Sequence, residues 1–269
     1  MVPETSEESG GTRIATDTAG IRELLAPGVS PRQSAAGYLD LLPEEQPSQP
    51  DTRSQSLWES NPGPKIYLKL VQPVVRAMGA PPNAETLAVG LRLETGGRVL
   101  DVGCGPGVIT AGLATAVGPE GVAVGLDLSA AMLTTAAASS GSNLGFLRGN
   151  AMQLPFPDGT FDAVCATAMI MLVPDPAAAM REMARVLAPG GWLAVVVPCR
   201  GTGLSGLLGA SVGRIAGGRM FGPDEIPEML DSLDVDRVFS NHNDLISTTY
   251  ARRSVGSGGA NSKPGVADV

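Results

Sequence analysis

Asp101 stands inside the run R-V-L-D-V-G-C-G-P-G, Arg98 to Gly107, with apolar Val99, Leu100 and Val102 around it. The apolar residues have strand composition, and the glycines that follow let a backbone turn sharply and approach a ligand closely. A buried strand that ends in a ligand loop is the expectation. An unpaired carboxylate inside that strand would be costly, so Asp101 needs donors, which loop amides or a bound ligand could supply. The loop reads G-x-G-x-G, with Gly103, Gly105 and Gly107, and opens into a helix-like segment, Val108 to Val117. This is not the G-x-G-x-x-G that brings a pyrophosphate to a helix N-terminus, and no G-K-[ST] follows to make a phosphate-binding loop.

The decapeptide resembles the first motif of the class I S-adenosylmethionine-dependent methyltransferases, which has the form V-L-D-x-G-C-G-x-G. The resemblance implies that Asp101, Gly103, Cys104, Gly105 and Gly107 contact S-adenosyl-L-methionine, with S-adenosyl-L-homocysteine as product. Twenty-six residues after Asp101, the run V-G-L-D-L-S places Asp127, with Leu128 beside it, at the end of a second strand. A carboxylate there can accept both hydroxyls of a ribose. A charge at a helix start is the plainer role for Asp127, with Ser129 the better cap.

The third strand ends in G-N-A-M-Q-L-P-F-P-D-G-T-F-D, Gly149 to Asp162, which is similar to the methyltransferases of the ubiquinone and menaquinone pathways and their relatives. Members usually carry an acidic residue where this chain has Asn150. The Asn side-chain oxygen can still accept from an adenine amino group, without the stronger charge-assisted bond. Ala151 and Met152 follow with backbone and apolar contacts, and Ala166 ends the fourth strand beside the cofactor. Where many relatives carry one or two histidines, this chain has Met171 and Leu172, which removes a ready general base and leaves an apolar wall. The stretch Asp175 to Trp192 completes the resemblance, which covers about Glu85 to Val197.

Two residues are candidate catalytic groups. His242 is the only histidine, placed in a turn at the ligand end of the sheet, where an imidazole could deprotonate an acceptor. A solvated turn histidine is the blander reading. Tyr67 could line the active site or belong to the core. Cys104, Cys165 and Cys199 lack metal-ligand spacing and read as small buried hydrophobes in a reducing compartment. No metal site is expected. The resemblance implies catalysis by placement: the sulfonium already activates its methyl group, and the protein aligns an acceptor and excludes water.

The elements that must position these residues alternate from Arg98 onward as apolar strands and amphipathic helices. That alternation predicts an α/β fold, a doubly wound, seven-stranded, mostly parallel, Rossmann-like sheet with an antiparallel last strand. Strands are expected at 98–102, 121–126, 144–148, 160–166 and 191–198, and helices at 107–117, 129–139, 175–187 and 222–233. A hairpin of 235–240 and 245–252 closes the sheet. Upstream, Leu57 to Met78 reads as a packed helix interrupted by Pro73 and Ala84 to Leu93 as a second. Three regions result: an acidic extension at 1–56, a transferase domain at 57–253 and a flexible tail at 254–269. Within the extension, Met1 to Thr18 has the composition of a disordered tail, and Ala19 to Leu25 and Gln33 to Leu42 are expected as short helices.

The chain has 269 residues, 43% of them hydrophobic and only 4% aromatic, so its core is built from aliphatic side chains suited to a sheet covered on both faces. A net charge of −8 argues against nucleic acid, whose backbone demands clustered Lys and Arg. No apolar run reaches the ~20 residues of a membrane span, and the N-terminus has no signal pattern. A cytoplasmic protein is expected, able to form a homo-oligomer through the N-terminal helices. The expected acceptor is a small, fairly apolar molecule covered by the helices up to Met78 and by Gly201 to Gly218. A cofactor-binding protein without transfer, and a protein or RNA methyltransferase, are the alternatives.

Overall fold

The computed structural model describes residues 18–42, 63–66, 68–69, 73, 82–139, 142–199, 219–242 and 245–255. Strands β3 (Arg98–Val102), β4 (Val122–Asp127), β5 (Leu144–Arg148), β6 (Phe161–Thr167) and β7 (Leu187–Pro198) fall within a few residues of their expected places. So does the closing hairpin, β8 (Val235–His242) and β9 (Ile246–Arg253). Two short strands precede them, β1 (Arg32–Gln33) and β2 (Leu39–Asp40), and the sheet runs β1-β2-β5-β4-β3-β6-β7-β9-β8. From β2 to β7 neighbours are parallel, whereas β1, β9 and β8 join antiparallel.

The order reverses at β3. The chain winds outward through β4 and β5 on one side, then returns to place β6 and β7 on the other. In an open parallel sheet, that reversal opens a crevice at the carboxyl ends of the two central strands. The loops after β3, β4, β5 and β6 meet there.

Helices α1 (Thr18–Arg22), α2 (Gly63–Ile66), α3 (Ala84–Gly90), α4 (Val108–Val117), α5 (Ala130–Ala136), α6 (Pro176–Val186) and α7 (Glu225–Asp231) complete the described elements. Caps written in the sequence fix several starts: Asn83 accepts from the Thr86 N–H, Ser129 from Met132 and Asp175 from Ala178. The sheet separates two cores. Leu100, Val102, Val124, Val164 and Val195 pack on one face, and Val99, Leu113, Ala123, Ala163 and Trp192 on the other.

The extension departs from expectation. Gln33 to Leu42 is not a helix but the return of a β1-β2 hairpin, with Gly37 at φ +101° in its turn and Ser34 N–H donating to Tyr38 O at 2.8 Å. The reason is tertiary. Strand β5 would otherwise be an open edge, and β2 pairs with it in parallel, Leu39 opposite Leu147, burying Leu39 completely. The Asp40 carboxylate also meets Arg148 at 3.3 Å. The sheet therefore has nine strands rather than seven. Residues 1–17, the linker from Pro43, most of Leu57 to Met78, Gly201 to Gly218 and 256–269 lie outside the described residues.

Candidate functional site

The crevice is built around the loop that leaves β3. Gly103 and Cys104 both donate their N–H to Leu126 O, at 2.7 and 3.1 Å, which holds the loop against the end of β4. Gly103 (φ +75°) has no room for a side chain: a Cβ there would lie 2.1 Å from Met169 Cγ. Gly105 (φ +52°) is the opposite case, because a Cβ there would meet nothing within 4 Å among the described residues. Its face of the loop opens to space. A Cβ at Gly107 would press on Phe146 and Ala136, so that glycine serves packing.

Asp127 closes the site from the neighbouring strand. Its Oδ2 accepts from Gly105 N–H and its Oδ1 from Ser129 N–H, both at 2.8 Å. Ser129, as expected, is the cap of α5. Burial raises the Asp127 carboxyl above its ordinary pKa, and the Ser129, Gly105 and Leu128 N–H groups act against that rise. Leu128 is half-buried, and its carbonyl accepts from Arg148 Nε at 3.0 Å.

Asp101 lies beneath the loop, 1% exposed. Its protein donors among the described residues are not loop amides. Thr110, in the first turn of α4, donates its hydroxyl to Oδ2 at 2.7 Å, and the Cys165 thiol on β6 faces Oδ1 at 3.6 Å. Burial pushes the carboxyl up to about 6, the Thr110 and Cys165 bonds oppose it, and the nearby Asp127 charge adds to it. Asp101 thus anchors the loop from inside the core. Thr110 was missed by the sequence reading, although a hydroxyl in the first turn of the helix after a strand carboxylate is the signal that marks it.

All three cysteines are free and buried. Burial, then the charges of Asp127 and Asp101, pushes the Cys104 thiol well up, which argues against a nucleophile. Asn150 is exposed just beyond β5, and its Oδ1 accepts from Met152 N–H at 2.9 Å. That oxygen thus serves the chain's own turn and keeps a second lone pair that a ligand amino group could use. Ala151 and Met152 are half-buried against the core, and Ala166 is fully buried.

Of the two candidate catalytic residues, His242 does not join this cluster. His242 sits, as expected, at the ligand end, but on the outermost strand and exposed. Four strand steps separate β8 from β3, about 19 Å at ~4.8 Å each. Tyr67 lies outside the described residues. The loop after β6 is nearer: Ala168 holds φ +55°, Met169 covers Gly103, and a 3-10 turn follows at Ile170–Leu172. Neither Ala168 nor Met169 was singled out by the sequence reading, since the positive φ and the contact with Gly103 exist only in the folded chain. Among the described residues no group of His, Cys, Asp and Glu could hold a metal ion, and no helix is long and apolar enough to cross a membrane.

The geometry suits a ligand that carries a diol and tolerates a close backbone. A glycine edge faces open space, and the carboxylate joined to that edge stands at the end of the adjoining strand.

Residues 100–195 match the family described as a methyltransferase domain. A demethylmenaquinone methyltransferase of Listeria monocytogenes is 42% identical over 110 residues, which cover 39% of this chain and 46% of that protein. The matched stretch thus spans about half the length of this relative. Among solved structures, a SAM-dependent methyltransferase from Aquifex aeolicus superposes with TM-score 0.51 at 20% identity, covering 67% of this chain and 97% of that one. The cyclase SpnF superposes with TM-score 0.54 at 21% identity over 64% and 81%. At these identities the superpositions speak for the fold alone.

Proposed function

We propose that this chain, whose residues 100–195 match the methyltransferase domain family, is an S-adenosylmethionine-dependent methyltransferase acting on a small molecule. One observation carries the reading: the open edge of the glycine loop at Gly105 is joined by a hydrogen bond to Asp127 at the neighbouring strand end. Asp127 would hold the ribose hydroxyls, Gly103 and Gly105 would let the amino-acid portion lie along the loop, and Ala151 and Met152 would flank the base. When bound, the cofactor supplies a methyl group already activated by its sulfonium. The chain then has to hold the acceptor in line and keep water out. Asp101 takes no direct part; it fixes the loop through Thr110 and Cys165.

The half-buried wall formed by Met169, Met171 and Val173 beside the crevice supports a small, fairly apolar acceptor. The name of the Listeria relative, a demethylmenaquinone methyltransferase, agrees with that class. The transferase unit is taken as 57–253.

A second reading, a protein of this fold that binds the cofactor without transferring its methyl, is favoured by Met171 and Leu172 in the place of the relatives' histidines. The fold does not decide between them, since a cyclase shares it. Calorimetry with S-adenosylhomocysteine, followed by incubation of the protein with methyl-labelled cofactor and metabolite extracts, tests both. Tight binding and a labelled small product support transfer. Binding with no labelled product supports the second reading, and no binding removes both.

A further inference from the structure

Three charged residues stand in one row across the carboxyl ends of β2, β5 and β4. Asp40, the last residue of β2, is paired in register with Arg148, the last of β5, and Arg148 is paired with Asp127, the last of β4. Arg148 uses its guanidinium on both sides. Nη1 donates to Asp40 Oδ2 at 3.3 Å, and Nε donates to Leu128 O at 3.0 Å. The Arg148 and Asp40 side chains are only 14% and 13% exposed, a setting in which salt and water screen the pair weakly.

The Leu128 carbonyl and the Ser129 N–H belong to one peptide unit. That unit is planar and trans, so its C=O and N–H point in opposite directions and turn together. With the carbonyl held by Arg148, the N–H is aimed at Asp127 Oδ1, which it meets at 2.8 Å. The carboxylate is thus oriented from two directions: by Gly105 N–H on Oδ2, and by this peptide on Oδ1. Asp40 fixes the far end of the guanidinium and is itself held, since its Oδ1 accepts from Leu42 N–H at 2.9 Å. Leu41 N–H adds a bond to Arg148 O at 3.1 Å. Asp40 precedes Arg148 by 108 residues and lies outside the stretch 100–195 that matches the methyltransferase domain.

We propose that Asp40 and Arg148 are positioning residues for the cofactor site, through which the N-terminal β1-β2 hairpin sets the hold of Asp127 on the ribose. The inference rests on the transferase reading. Both residues act through the Leu128–Ser129 peptide and then through Asp127. The hairpin is therefore part of the binding machinery as well as a cover for the edge of β5.

A double-mutant cycle separates this role from a merely structural one. Arg148→Met keeps the aliphatic stem and removes every donor, and Asp127→Ala removes the carboxylate through which Arg148 acts. The affinity of the full chain for S-adenosylhomocysteine is measured by calorimetry for the wild type, both single variants and the double variant, at a temperature where circular dichroism shows each folded. Arg148→Met lowers affinity about three- to tenfold in the wild-type background, the scale of one net hydrogen bond. In the Asp127→Ala background the same change alters affinity by less than about twofold. Asp40→Asn, which keeps the shape and removes the charge, gives a smaller loss with the same dependence on Asp127. Equal losses in the two backgrounds, or an Arg148→Met chain that binds as the wild type does, overturn the proposal. An Asp40→Asn chain that binds as the wild type does overturns the part given to the hairpin. If Arg148→Met does not fold, Asp40→Asn in the two backgrounds decides the question. If the wild type does not bind S-adenosylhomocysteine, the transferase reading itself fails, a result that calorimetry on the unmodified chain gives first.

Discussion

The main-chain N–H of Gly105 donates to Asp127 Oδ2 at 2.8 Å, which ties the loop after β3 to the end of β4. A left-handed glycine and a carboxylate on the adjacent strand thereby become one unit. The second oxygen of Asp127 is spent on Ser129 N–H at the start of α5. Each oxygen retains a lone pair for a ligand hydroxyl. The same carboxylate therefore shapes the loop and, in the function proposed above, would offer the acceptors for a ribose.

Asp127→Ala removes both roles at once. The expected loss is about 1–3 kcal/mol of S-adenosylhomocysteine binding, the scale for hydrogen bonds to a charged group. Asp127→Asn keeps one acceptor oxygen and should fall between. Unchanged affinity in the alanine variant, measured by calorimetry, would refute the ribose assignment.

The glycines at 103 and 105 should fail differently. At Gly105 an added Cβ meets no described residue within 4 Å, so Gly105→Val should burden the folded chain chiefly with a left-handed β-branched residue, about 1–2 kcal/mol, while the ligand loses its space. Gly105→Val should fold and not bind. At Gly103 even alanine drives into Met169, so Gly103→Ala should lower Tm as well as affinity, and Gly103→Ala with Met169→Ala should recover part of the stability. Equal Tm values for Gly103→Ala and the wild type would count against the packing described.

Asp101 gives a pH dependence of known sign. Its carboxyl stands near 6 in the fold against 3.8 in the unfolded chain, so between those values the native state holds a proton that the unfolded state has released. Stability from this group is greatest below about pH 4 and falls as pH rises through about 6, by a total on the order of 2–3 kcal/mol. Asp101→Asn lacks this term. Urea unfolding at pH 4.5 and pH 7.5 should show the difference between variant and wild type moving in the variant's favour at the higher pH. A difference independent of pH would show that Asp101 does not titrate in this range. Thr110→Val, which removes the 2.7 Å donor, should steepen the fall.

Leu39 tests the place of the N-terminal extension. It is fully buried on β2 against β5, so Leu39→Ala should cost about 2–5 kcal/mol in chemical denaturation, as for any large core side chain. A dispensable appendage would lose almost nothing. His242→Ala, by contrast, should leave methyl transfer within about twofold, because its strand lies about 19 Å from β3 at one strand spacing of ~4.8 Å per step. A loss of a hundredfold or more would restore His242 as the base.

Much of this was legible in the sequence because it is local. Strand β3, the glycines after it and Ser129 as a cap are decided by residues within a few positions of one another, through backbone angles and short hydrogen bonds. The alternation of strands and helices gave the doubly wound sheet, because a parallel sheet needs a crossover after each strand. What the sequence left open depends on partners distant in the chain. Gln33 to Leu42 has enough helical character to suggest a helix, yet the exposed edge of β5, over a hundred residues later, draws it into an extended pairing that buries Leu39. Asp101 finds Thr110 and Cys165, the second of them 64 residues away, only when α4 and β6 close around it. Met169 comes to lie on Gly103, and Thr167 is left with a hydroxyl that no described residue answers. Hydrogen-bond demand can be read from a residue's type, but its satisfaction is a property of the packed interior, and that the tertiary structure alone decided.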